Sequence, residues 1–140
     1  MSEKISQTKT DLGLFILRLG TGISFIFIHG WNKIFGGPEI WSRIGGAMAS
    51  FGIDFMPAFW GFMAAVSEFG GGIMLLLGLF TRTTSSFMAF TMIVAFSKHI
   101  LNHDPWSKVF YPLEMLTIFL ALIIMGAGKY SLDALISRKK

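Results

Sequence analysis

The sequence predicts an all-α integral membrane protein, a four-helix bundle with both termini cytoplasmic and an interfacial outer segment between helices one and two. Composition is the first observation behind this. Of 140 residues, 53% are hydrophobic and 14% charged, whereas an ordinary soluble domain carries about 25% charged residues. The second is segment length, since four stretches approach the roughly 20 apolar residues that a membrane helix needs. Proline placement is the third. Pro38 and Pro105 fall between these stretches, and Pro57 and Pro112 fall in what reads as the first turns of helices two and four, with none in a helix interior. A first turn tolerates a missing backbone N–H.

Helix one is expected at Leu12–Gly30, "LGLFILRLGTGISFIFIHG". Arg18 within the run and the lack of an Ala-x-Ala-like site argue against a cleaved signal peptide. Residues 31–56 are too polar and glycine-broken to cross. Their aromatics Trp31, Phe35, Trp41 and Phe51 suit the outer interface. Helix two is expected at Pro57–Phe80, helix three at Thr83–Leu101 and helix four at Val109–Ala127. A short interfacial helix over 131–138 follows, with Ser131 as N-cap, Leu132, Leu135 and Ile136 towards lipid and basic residues at headgroups. The whole chain, 1–140, is one domain.

Orientation comes from the loop cations. Lys4, Lys9, Arg82, Lys129, Arg138, Lys139 and Lys140 fall on one side, against Lys33, Arg43, Lys98 and Lys108 on the other. The heavier side is assigned to the cytoplasm, in a plasma membrane. With no cysteine, the chain by itself cannot run dithiol redox chemistry, form disulfides or offer thiolate metal ligands. The net charge of +4 gathers near the ends and suits an anionic membrane surface. No basic stripe with interleaved aromatics points to nucleic acid.

Charges inside a span are costly and usually face protein. Glu68 lies eleven residues below the outer end of its helix, roughly 16 Å down, and Arg18 six residues above the inner end of its own, roughly 9 Å up. The expected buried polar site is therefore an Arg18–Glu68 pair, with Gly72 and Ala64 flanking Glu68 as small residues that let helices approach. Arg18, Gly22, Phe25 and His29 share one inward face of helix one. The outer cluster comprises His29, Asn32, Lys33, Lys98, His99, His103 and Glu114. His99 and His103 have the i, i+4 spacing of two metal ligands, but Asn102, Asp104 and Pro105 end the helix there. Neither a metal nor a haem held by His29 and His99 is therefore favoured.

The segments "LRLGTGISFIFIHGWNKIFGG", "SEFGGGIMLLLGLFTR" and "GAGKYSLDALI" resemble the DoxX family of small four-helix membrane proteins. That resemblance implies a role beside membrane redox chemistry. The chain would bind quinone, or support a membrane or peripheral oxidoreductase partner, through the buried Arg18–Glu68 site. A small proton-coupled transporter and a non-catalytic assembly or scaffold subunit are the alternatives, and a homo-oligomer is compatible with each. Against the transporter, small multidrug exporters carry their essential glutamate in the first helix, where this chain carries arginine. A clear inverted pair of broken helices is also missing.

Overall fold

The computed structural model describes residues 2–138, with side chains from Ile5. The described residues form helices joined by short turns, without strands. Helix α1 (Ser2–Ser24) runs through a π-helical turn, Phe25–Gly30, straight into α2 (Trp31–Ile34). Then come α3 (Gly37–Gly45), a 3₁₀ turn (Gly46–Phe51), α4 (Pro57–Leu77), α5 (Thr81–Leu101), α6 (Trp106–Met125) and α7 (Leu132–Ser137). Four stretches are long and apolar enough to cross a membrane: Ile5–Ile34, Pro57–Leu77, Thr81–Leu101 and Trp106–Met125. The start of α1, the α4–α5 turn and α7 share one end of the bundle, here the terminal end. The opposite end, the cap end, carries α2, α3 and the α5–α6 turn.

Helix α4 is the hub, packed by α1, α3 and α5, and α6 packs on α5. Its glycines set these contacts separately. A Cβ on Gly72 would stand 3.0 Å from the Gly22 carbonyl, and one on Gly22 would stand 2.8 Å from the Gly72 carbonyl. α1 and α4 therefore cross backbone to backbone, with no room for any side chain. Gly71 faces Met88 of α5 instead, and Gly70 has open space. The α1–α6 seam is closed differently, by rings. Phe25 meets Phe119 edge-on at 5.3 Å, within a core that includes Leu75, Met88, Met92 and Leu122. Exposed side chains such as Ile16, Phe27, Phe87 and Ile124 clad the spans for lipid contact.

Three features depart from the sequence reading. α1 starts at Ser2, because no glycine or proline interrupts the chain before Gly13. The segment after Trp31 is helical rather than merely glycine-broken. α3 lies so close to α4 that a Cβ on Gly45 would stand 1.8 Å from the Pro57 carbonyl, and one on Gly61 1.8 Å from the Trp41 carbonyl. Pro112 lies inside α6, which begins at Trp106 after Pro105 at the N-cap. It therefore deprives the Lys108 carbonyl of its helical donor.

At the terminal end, Ser131 caps α7 by accepting from the Ala134 N–H at 3.2 Å. Asp133 accepts from the Phe80 and Thr81 amides at 2.7 and 2.9 Å. It thereby satisfies free N–H groups at the start of α5 and pins α7 to the α4–α5 turn. Asp11 accepts from the Lys129 amide at 3.0 Å. The C-terminal segment is thus stitched to the bundle. The side chains of Lys4, Lys139 and Lys140, expected at headgroups, lie outside those described.

Candidate functional site

Glu68 is 2% exposed and stands eleven residues into α4, about 16 Å from Pro57 along the axis. Its partner is Lys33. The Lys33 ammonium donates to both carboxylate oxygens, at 2.7 and 2.5 Å. Lys33 belongs to α2 at the cap end, and its stem runs down into the span with the charged head innermost. The lysine backbone is itself held, because Trp41 Nε1 donates to its carbonyl at 2.7 Å. Trp41 in turn packs edge-on against Phe62 of α4 at 4.9 Å. The close glycine crossing of α3 on α4 therefore fixes the point from which the lysine reaches.

Beside this pair lies a second. The Tyr111 hydroxyl and His29 Nε2 share a 2.7 Å hydrogen bond, and their rings stack at 4.9 Å. Phe25 lies against the imidazole at 5.2 Å. The π turn delivers His29 to this position. Gly30 makes the turn feasible, since a Cβ there would meet both the Phe25 carbonyl and the Phe69 backbone within 2.7 Å. Such π turns recur at functional sites. Lys33 lies within electrostatic reach of His29, and Glu68 of Tyr111. Four groups from α1–α2, α4 and α6 thus form one polar site inside the bundle, walled by aromatic rings.

The expected Arg18–Glu68 pair does not form. Arg18, fully buried, donates to the Leu75 carbonyl at 3.0 Å and the Tyr130 carbonyl at 2.5 Å. The antiparallel crossing at Gly22 and Gly72 explains this. It sets Arg18 level with Leu75, seven residues or about 10 Å beyond Glu68 towards the terminal end. There the guanidinium serves the last carbonyls of α4, where a cation is favoured. Gly72 lies at that crossing, where its lack of a side chain lets α1 approach α4.

The expected outer cluster divides. His29 and Lys33 join Glu68 in the interior. Asn32 is exposed. Lys98 donates to the Arg43 carbonyl at 3.5 Å, and His103 sits exposed in the α5–α6 turn with φ +52°. Glu114 is exposed on α6 and lines no entrance. Among the described residues, no three histidine or acidic side chains converge as metal ligands. Tyr111 is the member of the candidate site that the sequence reading missed. Its signal was available, as a phenol within a span on a chain with only two tyrosines.

His99 Nδ1, in the last turn of α5, shares a 2.8 Å hydrogen bond with Oδ2 of Asp104, which lies beyond the span. That bond, aided by the positive charges of Lys108 and Lys98, holds the Asp104 carboxyl below its ordinary value. A carboxyl with a depressed folded pKa adds stability above its unfolded value of about 4, and loses it as pH falls through the folded value. An NMR titration should place the Asp104 midpoint below that of a free aspartate. In His99→Ala it should rise back towards it.

Fold and site together define a small multi-pass helical membrane protein with a lysine–glutamate pair and a histidine–tyrosine pair between its helices. The DoxX family model matches residues 13–103, and the chain belongs to that family. It is 35% identical over 133 residues to the inner membrane protein YqjF of Escherichia coli K12, covering 92% of this chain and 95% of that one. It is 29% identical over 130 residues to a Bacillus subtilis 168 protein named "Putative oxidoreductase CatD", covering 93% and 91%. No solved structure matches. The chain is thus a multi-pass protein of the plasma membrane.

Proposed function

We propose that this protein is a redox-associated membrane subunit that receives a quinone headgroup at the Lys33–Glu68 and His29–Tyr111 site. One observation carries the reading. Two hydrogen-bonded polar pairs lie within electrostatic reach of each other inside a membrane bundle, with Phe25 against the imidazole of one. A quinone headgroup needs donors for two carbonyl oxygens and aromatic faces to lie against. Its reduction takes up two electrons and two protons. Lys33 and either Tyr111 or His29 supply the donors, and His29 and Glu68 are placed to pass protons. A partner oxidoreductase supplies the electrons. The family membership and the oxidoreductase name of the Bacillus relative agree with this reading. The ring-closed α1–α6 seam offers the route from lipid, because parting it displaces side chains and no close backbone crossing.

Titration of the purified protein with a ubiquinone or menaquinone analogue tests the proposal. A hydrogen bond to a charged group is worth about 1.5–3 kcal/mol. Glu68→Gln, which releases Lys33, should therefore weaken binding about tenfold to a hundredfold. Tyr111→Phe should weaken it by a smaller factor. Absence of binding by the wild type removes the quinone reading. Equal binding by wild type and both variants removes this site.

A further inference from the structure

Glu114 differs from the other acidic and basic groups deep in the spans. Arg18 and Glu68 are buried and bonded. Glu114 faces outward, with no protein partner among the described residues. It stands eight residues past Trp106 and eleven before Met125, about 12 and 16 Å from the two helix ends. Neither headgroup region is close, and a glutamate lacks the long stem by which lysine and arginine reach one. An ionisable group at such depth almost always faces protein or a water-filled cavity. The surface around it suits helix packing, with Phe110, Thr117 and Leu120 exposed on the same side. α6 is also the least covered of the four spans.

We infer that the outward face of α6 docks a membrane-spanning helix of a different protein, one that carries a lysine or arginine at the depth of Glu114. Charge and depth select this occupant over a second copy. Copies of one chain in one membrane share an orientation, so a symmetric assembly about the membrane normal keeps equivalent residues at equal depth. A twofold contact through α6 would set Glu114 against Glu114, like charge against like. A non-equivalent contact needs a free cation about 12 Å down from the cap end. Among the described residues none is there. Lys33 is taken by Glu68, Lys98 donates to the Arg43 carbonyl, Arg43 belongs to α3 at the cap end, and Lys108 is in the first turn of α6. The inference stands apart from the quinone proposal, since it uses neither the interior site nor its chemistry.

The test uses full-length protein carrying a fluorescence donor in phosphatidylcholine vesicles. Acceptor-labelled synthetic polyleucine helices are added, with or without one lysine about 12 Å from one end. The lysine helix should associate with the wild type at least about fivefold more tightly than the all-leucine helix. In Glu114→Leu that preference should vanish, with thermal unfolding of the variant unchanged. Equal association of the two helices with the wild type overturns the inference, as does a preference that survives in Glu114→Leu. Donor- and acceptor-labelled copies of the protein are also mixed alone. Self-association that Glu114→Leu abolishes would make a second copy the occupant and overturn it too.

Discussion

Replacing Lys33 with leucine is expected to cost about 3–5 kcal/mol of unfolding free energy, because it leaves a buried carboxylate without its countercharge. Glu68 is almost wholly enclosed, and no other cation approaches it within ion-pair distance among the described residues. The lysine side chain is 31% exposed, which places the loss towards the lower end of that range. The double variant Lys33→Leu, Glu68→Leu should recover most of the loss, since two apolar residues replace a buried ion pair at little cost. Unfolding by SDS titration in mixed micelles measures all three proteins. A single variant as stable as the wild type would show that the pair contributes nothing. A double variant as unstable as the single one would show that the loss came from packing.

Gly61→Ala is expected to be comparably damaging although it adds one methyl group. The new Cβ would lie 1.8 Å from the Trp41 carbonyl oxygen and 2.5 Å from its carbon. Both are backbone atoms, so no side-chain rotation relieves the overlap and α3 must leave α4. Overpacking a core costs about 1–3 kcal/mol when side chains can adjust; a loss at or above the top of that range is expected here. Displacing α3 also breaks the Trp41 bond to the Lys33 carbonyl, so tryptophan emission should shift as stability falls. Gly70→Ala is the control. It has open space at its Cβ, and in a helix interior alanine is favoured over glycine by about 0.5–1 kcal/mol. A Gly61→Ala protein as stable as this control would mean that α3 does not sit where described.

The four spans were legible because a bilayer imposes a length that an apolar run either meets or fails. Ser131 was legible as a cap because a serine before a short amphipathic run has few other uses. The start of α1 was not, since hydropathy marks where lipid begins and says nothing of a polar helix continuing beyond it. The interior of Glu68 followed from the cost of a carboxylate in lipid. Its partner did not follow, for two physical reasons. Depth reckoned from presumed helix ends placed Arg18 within reach of Glu68, whereas the Gly22–Gly72 crossing sets it about two turns away. Lys33 was also counted as a loop cation of the outer cluster, although its stem is long enough to point inward. The π turn inserts its own phase shift, and a count at 100° per residue cannot see it. His29 was placed on the inward face without its tyrosine.

The bond from Arg18 to the Tyr130 carbonyl joins positions 112 residues apart. Chains are made at about 5–20 residues per second, so on the order of ten seconds separates synthesis of the arginine from synthesis of its last acceptor. Through that interval the first helix must hold a cation in or near the membrane with its final geometry incomplete. Biogenesis therefore has a built-in closing step. Insertion of the early helices is provisional until the C-terminal segment emerges, and a ribosome stalled shortly before residue 130 should leave a chain that membrane quality control recognises as unfinished.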